Sequence, residues 1–273
     1  MAAKYHFISG LPRSGSTLLS AILRQNPRFF ARVTAPTYAM IGAQIEVMGA
    51  QNRHASFFDD QIRCNVLRAV FDGYYQNISE NLDVVFDTCR LWTSRADLLD
   101  MLFPESRIIC CVRDVCWILD SFENIHRKNP TQISSLYNFK HEPSIYGRIA
   151  TMMDANNGPV GMAHAALRQL WFSDIAKKMI VVRYESIVQR PKETISRLYA
   201  ILNEPPFEHD FNHVSYDEPE YDHRIGLPGL HTVRGKIEYN KRESFLPPDI
   251  FKQYSNSNFW DIAAANVRNV DVL

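Results

Sequence analysis

Short apolar runs alternate with longer amphipathic segments along most of the chain. The runs contain few polar positions, which is typical of strands in a parallel sheet that is covered on both faces. They are Lys4–Ser9, Asp83–Phe86, Arg107–Val112 and Met179–Val182. Apolar residues with helical spacing fill the gaps between the runs, for example from Val66 to Ile78. Strands that alternate with helices predict an α/β fold with a central parallel sheet flanked by helices.

The pattern changes at about Pro205, beyond which Pro, Asp and Glu are frequent and periodicity is weak. We expect residues 205–273 to form an irregular segment that wraps the sheet and covers a ligand, although a passive surface extension would have the same composition. No Gly/Ser-rich or Pro-rich linker divides the chain, and no internal repeat is visible. A length of 273 residues fits one large α/β domain, so we expect a single domain over residues 1–273.

The charge balance limits the kinds of partner. The chain has 30 Lys and Arg residues and 30 Asp and Glu residues, so its formal net charge is zero. Bulk nucleic-acid binding needs a basic field, and this sequence does not supply one. An anionic ligand would therefore have to be bound by a local group of cations. The sequence also predicts no membrane partner, because no stretch approaches the roughly 18 apolar residues of a membrane span.

The cysteines and the N-terminus predict a compartment. The five cysteines are odd in number and lack metal-ligand spacing, which favours buried free thiols and no metal site. They are Cys64, Cys89, Cys110, Cys111 and Cys116. The first ten residues contain no apolar core of a signal peptide. These features predict the reducing cytoplasm.

The segment "GLPRSGST" (Gly10–Thr17) follows the first apolar run and nearly matches the phosphate-binding pattern G-x-x-x-x-G-K-[ST]. Ser16 stands where the pattern has lysine. The glycines permit a close backbone approach to an anion, and the following helix directs free N–H groups at it. Further donors are the Arg13 guanidinium and the hydroxyls of Ser14, Ser16 and Thr17. A serine-rich turn that only caps a helix is the alternative.

Two later strand ends carry similar candidates. Arg113 ends the third run, and Ser121 lies eight positions further, about two turns into the next predicted helix. These two side chains can converge on a second anion, although Arg113 could instead pair with Asp114 or Asp120. Tyr184 follows the fourth run, where its ring and hydroxyl can contact a nucleobase.

Together these segments resemble the sulfotransferase family, which uses 3′-phosphoadenosine 5′-phosphosulfate (PAPS). The "PRSGST" segment looks like the 5′-phosphosulfate loop of that family, so Gly15 and its neighbours Arg13, Ser14, Ser16 and Thr17 are implied to bind the donor. Arg113 and Ser121 match its 3′-phosphate signature, and "RYESIVQRPKETISRLYAIL" resembles its segment with an adenine-contacting tyrosine, here Tyr184. The resemblance covers Tyr5–Leu202 and implies a P-loop-type three-layer fold.

We extend the resemblance to "HTVRGKIE" (His231–Glu238), where Arg234 and Lys236 are expected to close over the 3′-phosphate. Lys241 and Arg242 continue this basic group, and a solvated charged strand is the alternative interpretation. The arginine inside the loop and the segment "LFPESRIICCVRD" favour the tyrosylprotein-sulfotransferase-like branch of the family.

The implied activity is sulfuryl transfer from PAPS, without a metal, to a hydroxyl of a small-molecule or peptide acceptor. It accounts for the missing lysine, because a kinase lysine reaches the β- and γ-phosphates of a triphosphate, whereas this donor has one bridged phosphosulfate. Two alternatives stay open. One is a P-loop kinase of a small molecule or nucleotide, and the other is a non-catalytic module that binds the nucleotide.

Catalysis needs cations near the transferring group and a base for the acceptor proton. Arg13 is the candidate cation. Where relatives have a catalytic histidine or lysine after the second run, this chain has "VVFDTCRLW", so Asp87 is our candidate base and Arg90 the group facing the sulfonate. Asp87 could equally cap the following segment. No acid follows the loop where the tyrosylprotein branch has a catalytic glutamate, which leaves Glu46 and His54 as reserve candidates.

Overall fold

The computed structural model describes residues 3–78, 82–128, 130–131, 142–239, 243–256 and 258–273. Within them, a parallel sheet forms the centre of the fold. Its strands are β1 (Lys4–Gly10), β2 (Phe29–Ala31), β3 (Val84–Thr88), β4 (Ile108–Val112), β5 (Met179–Arg183) and β6 (Asp271–Val272). Their order across the sheet is β2-β3-β1-β4-β5-β6, and all neighbours pair in parallel. The predicted fold class is confirmed, and the four predicted runs correspond to β1, β3, β4 and β5.

Helices connect the strands. They are α1 (Ser16–Leu23), α2 (Thr37–Val47), α3 (Asp60–Tyr75), α4 (Ala96–Leu102), α5 (Val115–Lys128), α6 (Ile145–Met153), α7 (Gly161–Phe172), α8 (Tyr184–Gln189), α9 (Pro191–Leu202), α10 (Pro219–Arg224) and α11 (Pro248–Tyr254). Most of the predicted stripe from Val66 to Ile78 lies in α3. None of the helices in the described residues combines the length and the apolarity that crossing a membrane requires.

The sheet separates two hydrophobic cores. Successive side chains of a strand point to opposite faces, so Phe7 and Cys110 enter one core while Ile8 and Cys111 enter the other. Helices α2 to α7 and α11 cover the first face, and α1, α8 and α9 cover the second. All five cysteines are free thiols; Cys110, Cys111 and Cys116 are buried as predicted, whereas Cys64 and Cys89 are half-buried.

The chain beyond α9 runs across one end of the sheet and then returns to its edge. Asn203 ends α9 in the left-handed conformation (φ 56°). The following segment forms an isolated antiparallel bridge between Tyr216 and Val233, then α10, α11 and finally β6. The N–H of Leu273 donates to the carbonyl oxygen of Val181 at 2.8 Å, which joins the last residue to β5. Residues 221–238 of this segment lie over the carboxyl ends of the strands.

Candidate active site

A cavity of about 480 Å³ lies between the carboxyl ends of β1, β3, β4 and β5 and the segment 221–238. This is the edge at which open α/β sheets bind ligands. Most of the predicted site residues border it: Arg13, Gly15, Ser16, Thr17, Arg90, Arg113, Tyr184, Arg234 and Lys236. Three predicted residues do not border it, namely Ser14, Asp87 and Ser121.

The loop after β1 owes its shape to two glycines. Gly10 has a φ of +104°, and a Cβ there would lie 2.2 Å from the carbonyl oxygen of Cys111, so the close approach of β1 to β4 requires glycine. Gly15 has a φ of +94° and precedes the first turn of α1. Ser16 and Thr17 border the cavity, and no described residue hydrogen-bonds to their hydroxyls. The free N–H groups of the first turn therefore lie beside unpaired hydroxyl groups, an arrangement suited to an anion.

Ser14 has a structural role within the same loop. Its side chain is fully buried, and its hydroxyl lies against the carbonyl oxygens of Leu11 and Cys111, at 2.9 Å from the latter. Ser14 was predicted to bind the donor, but its hydroxyl points into the protein and does not border the cavity, so its position does not support that role. The hydroxyl instead fixes the loop against β4.

Arg13 connects three parts of the chain. Its Nε donates to the Ser121 hydroxyl on α5 at 3.1 Å, and its Nη1 donates to the carbonyl oxygen of Leu230 at 2.7 Å. Both partners are neutral, so the charge of Arg13 is not balanced by them. Burial and the adjacent Arg113 lower the pKa of Arg13 from its ordinary value. Ser121 was predicted to bind the second anion together with Arg113. In the structure the Ser121 hydroxyl accepts a hydrogen bond from Arg13.

Arg113 lies over an aromatic ring and lacks a partner for one of its donors. Its guanidinium carbon is 4.2 Å from the centroid of the Tyr184 ring, a cation–π contact that orients the side chain. The buried Nε of Arg113 has no hydrogen-bond partner among the described residues. Asp114, one predicted partner, instead accepts from the N–H of Cys116 at 3.3 Å. A Cβ on Gly15 would lie 3.0 Å from Cδ2 of Tyr184, so the loop packs against this ring.

A second buried polar group without a partner borders the cavity at the end of β3. The Thr88 hydroxyl has no hydrogen-bond partner among the described residues, and Thr88 is only 5% exposed. Buried polar groups are nearly always hydrogen-bonded, so the orphaned atoms of Thr88 and Arg113 suit a polar ligand in this cavity. Arg90 is exposed and borders the same cavity.

Asp87 precedes Thr88 and faces the opposite side of the sheet, as strand geometry requires. Its carboxylate is fully buried and accepts hydrogen bonds from the Trp92 indole N–H at 2.8 Å and from the hydroxyls of Tyr75 and Thr37 at 2.9 and 2.5 Å. Burial raises the pKa of Asp87, although the three hydrogen bonds oppose that shift. Asp87 was predicted to be the general base, but its carboxylate lies in the core and does not border the cavity, so its position does not support that role. It is also not a helix cap.

The remaining candidates lie at the surface. Glu46 and His54 are exposed and do not border the cavity. Arg234 pairs with Asp217 at 2.5 Å, and the exposed Lys236 pairs with Glu238 at 3.5 Å. Lys241 and Arg242 lie outside the described residues. Arg234 and Lys236 therefore stand at the rim of the cavity with acidic neighbours.

The sequence did not indicate the contact between His231 and Asp222. Nδ1 of His231 lies 2.5 Å from Oδ1 of Asp222, and the backbone N–H of His231 donates to Oδ2 at 2.9 Å. His231 borders the cavity, whereas Asp222 is fully buried. Burial lowers the pKa of His231 below its usual range, the carboxylate of Asp222 opposes this shift, and the charges of Arg13 and Arg90 add to it. Among the described residues, no group of three or more His, Cys, Asp or Glu side chains is arranged to hold a metal ion.

Comparisons with known proteins agree with the fold. The chain is 27% identical over 222 residues to the nodulation protein NoeE of Sinorhizobium fredii, and this match covers 73% of the chain and 50% of that protein. The chain thus spans about half the length of the curated relative it matches. Two solved structures have the same fold, each with a TM-score of 0.52.

The first of these structures is the sulfotransferase domain from the curacin biosynthetic pathway, 17% identical, with 93% of this chain and 90% of that one covered. The second is a sulfotransferase from Alicyclobacillus acidocaldarius, 14% identical, with 82% of this chain and 90% of that one covered. None of these relatives bears on the tyrosylprotein-like branch, which stays a prediction. The model of the sulfotransferase family matches residues 6–209. The chain therefore belongs to the sulfotransferase family of enzymes.

Proposed function

We propose that this protein transfers the sulfuryl group of PAPS to a hydroxyl of an acceptor molecule. The observation that carries the proposal is the pair of arginines at the cavity. Within the described residues neither Arg13 nor Arg113 forms an ion pair with a carboxylate, and the buried Nε of Arg113 lacks a hydrogen-bond partner. Unpaired cations in a cavity favour an anionic ligand, because a carboxylate or phosphate oxygen restores the missing interactions.

The residues present fit such a donor. The N–H groups at the start of α1 with the hydroxyls of Ser16 and Thr17 would bind the 5′-phosphosulfate. Arg113 would bind the 3′-phosphate, and the ring of Tyr184 would contact the adenine. Arg13 and Arg90 would stabilise the negative charge near the transferring group, which is the main contribution a protein makes to group transfer of this kind.

The kinase alternative receives less support. A P-loop kinase needs an acidic side chain that, with the loop hydroxyl, holds magnesium beside the phosphates. Asp87 is the nearest strand-end acid in the sequence, and its carboxylate lies in the core with three hydrogen-bond donors. Asp114 does not border the cavity either. The combination of Ser16 in place of lysine with these positions favours a donor that requires neither group.

Residues 1–273 would act as one domain, with the segment from about 205 covering the donor. We keep the reducing cytoplasm as the proposed compartment, since all five cysteines are free thiols. The acceptor class stays open between a small molecule and a peptide. A tyrosine-containing peptide belongs in any screen because of the tyrosylprotein-like features of the sequence.

Two measurements test the proposal. Adenosine 3′,5′-bisphosphate should raise the melting temperature in the absence of magnesium, because a ligand of the folded state stabilises it by mass action. PAPS labelled in its sulfate should then transfer label to at least one alcohol, phenol or peptide of an acceptor panel. A shift with Mg-ATP and none with the bisphosphate would refute the sulfotransferase proposal. Binding of the bisphosphate without any transfer would favour the non-catalytic alternative.

A further inference from the structure

Two contacts with Asp222 orient His231 at the cavity. Both carboxylate oxygens of Asp222 accept from this one residue, Oδ1 from the ring and Oδ2 from the backbone N–H. The carboxylate is enclosed by protein, because Asp222 lies in α10 and is fully buried. A ring held at Nδ1 by a buried acceptor is oriented in the way that catalytic histidines require.

The same contact decides which ring nitrogen can accept a proton. A carboxylate accepts hydrogen bonds, so the neutral ring of His231 carries its proton on Nδ1, and Nε2 keeps a free lone pair. No described residue hydrogen-bonds to Nε2, and 17% of the side chain is accessible. The neighbouring Leu230 accepts from Arg13 at 2.7 Å, which keeps His231 beside the loop.

The charged and titratable groups around His231 favour its neutral form. Arg13 from the loop and Arg90 from the end of β3 oppose protonation, and burial acts in the same direction. Asp222 favours protonation but does not outweigh them. The ring of Tyr221 lies 5.6 Å from the imidazole between centroids and packs beside it. The imidazole is therefore available as a proton acceptor at neutral pH.

Other residues that border the cavity are poorer bases. Burial raises the pKa of Cys89 to about 11, so this residue is a neutral thiol at neutral pH. Arginine and lysine side chains are hydrogen-bond donors and offer no acceptor for a proton. Glu238 is the remaining carboxylate among the described residues that border the cavity, and it is exposed and paired with Lys236.

We propose that His231 is the general base of the reaction and that Asp222 is its positioning residue. This inference rests on the proposed function. The Nε2 of His231 takes the proton of the acceptor hydroxyl as the acceptor oxygen forms its bond to the sulfur of PAPS. The bond between that sulfur and the bridging phosphate oxygen breaks, and its electron pair leaves with adenosine 3′,5′-bisphosphate. The products are the sulfate ester, the bisphosphate and a protonated His231, which returns its proton to water.

His231→Gln is the central variant, with His213→Gln as its matched control. His213 also binds an aspartate, Asp210, at 2.8 Å, but it is exposed and does not border the cavity. We expect His231→Gln to bind adenosine 3′,5′-bisphosphate as the parent does and to lose about 10²–10⁴-fold in kcat, the usual effect of removing a general base. His213→Gln and Glu238→Gln should keep kcat within a few-fold of the parent.

A pH profile separates catalysis from a merely structural role. In the parent protein kcat should fall on the acidic side as His231 becomes protonated, and this limb should be absent from His231→Gln. Asp222→Asn removes the group that favours protonation, so its acidic limb should move to lower pH and its kcat should fall. Imidazole added to His231→Ala should restore part of the lost rate.

The outcomes are distinguishable. If the parent transfers labelled sulfate and His231→Gln does so at a similar rate with its acidic limb intact, the general-base assignment is overturned and the sulfotransferase function stands. A loss of kcat in Glu238→Gln with none in His231→Gln would also overturn it and would make Glu238 the base. If the parent transfers no sulfate from PAPS, both proposals fail. If His231→Gln does not fold, Asp222→Asn decides, and an unchanged acidic limb there overturns the assignment.

Discussion

Arg13 donates a hydrogen bond of 2.7 Å from Nη1 to the carbonyl oxygen of Leu230, and so joins the loop after β1 to the segment that covers the cavity. The same guanidinium reaches the Ser121 hydroxyl through Nε at 3.1 Å. Only a planar, forked donor can serve both partners and keep further N–H groups for a ligand. We infer that Arg13 couples donor binding to the position of residues 221–238.

Arg13→Lys tests this coupling. Lysine keeps the positive charge but cannot bridge Leu230 and Ser121 at once. Residues 221–238 should therefore be held less firmly against the loop, and the bisphosphate should bind more weakly. Loss of a charge-assisted contact costs about 1.5–3 kcal/mol of binding free energy. Titration calorimetry measures the affinity, and amide hydrogen exchange over residues 225–238 measures the loosening. Arg190→Lys, at an exposed arginine that pairs with Glu193, is the control and should change neither quantity. Weaker binding with unchanged exchange would refute the coupling.

Arg113→Ala should reduce affinity for adenosine 3′,5′-bisphosphate by about 1.5–3 kcal/mol. The proposed partner of Arg113 is the 3′-phosphate, so affinity for adenosine 5′-phosphate should change much less and selectivity between the two nucleotides should fall. Arg234→Ala should have a smaller effect, because Arg234 is exposed and already paired with Asp217. An equal loss of affinity for both nucleotides would show that Arg113 is not a 3′-phosphate ligand.

Asp87 should prove essential for stability and dispensable for catalysis. Asp87→Ala leaves three buried donors without an acceptor, from Thr37, Tyr75 and Trp92, and each unsatisfied group costs about 1–3 kcal/mol of the free energy of unfolding. In Asp87→Asn the amide N–H groups can donate to the hydroxyl oxygens of Thr37 and Tyr75, while its oxygen accepts from Trp92. We therefore expect Asp87→Asn to fold and to keep its turnover. Loss of turnover in a stable Asp87→Asn would restore Asp87 as a catalytic candidate.

The pH dependence of stability gives a second measurement on Asp87. Burial raises the pKa of Asp87 in the folded protein, so the folded protein binds this proton more tightly than the unfolded chain does. The contribution of Asp87 to the free energy of unfolding is therefore fully present below the unfolded pKa and is lost as pH rises through the folded pKa. We expect urea unfolding at several pH values to show that the free energy of unfolding decreases less in Asp87→Asn than in the parent, as pH rises from the unfolded to the folded pKa of Asp87. If the free energy of unfolding changes with pH in the same way in both proteins, the pKa of Asp87 is not raised in the folded protein.

The strands and the loop were readable from the sequence because their physical requirements act locally. A strand buried on both faces needs a continuous apolar run, and β1, β3, β4 and β5 have one. Strands β2 and β6 have three and two residues, too few to form a recognisable run. Gly10 and Gly15 mark the loop because both need a positive φ.

The sequence did not indicate the contacts between distant parts of the chain. Strand alternation places Asp87 and Thr88 on opposite faces, but it does not say which face borders the cavity. Helical spacing places Ser121 near the end of β4, yet packing brings its hydroxyl to Arg13. The pairing of His231 with Asp222 arises in an irregular segment without periodicity, so no pattern in the sequence predicts it.

Gly15→Ala and Gly73→Ala should change the free energy of unfolding in opposite directions. Gly15 has a φ of +94°, and a Cβ there would lie 3.0 Å from Cδ2 of Tyr184. The alanine is strained in this conformation, at a cost of about 1–3 kcal/mol, and it displaces the ring on which Arg113 lies. Gly73 lies in α3, its φ is not positive, and nothing lies within 4 Å of the position that an added Cβ would take. Alanine there should raise the free energy of unfolding by about 0.5–1 kcal/mol.

The two variants should also differ in ligand binding. Gly15→Ala should bind adenosine 3′,5′-bisphosphate more weakly, because the loop and the Tyr184–Arg113 contact shift together, whereas Gly73→Ala should bind it as the parent does. Urea unfolding gives the two stabilities, and calorimetric titration gives the two affinities. A Gly15→Ala protein that is less stable but binds the bisphosphate normally would show that the conformation of the loop does not affect ligand binding. That result would count against the loop as the 5′-phosphosulfate site, since a site built on this backbone cannot tolerate its displacement.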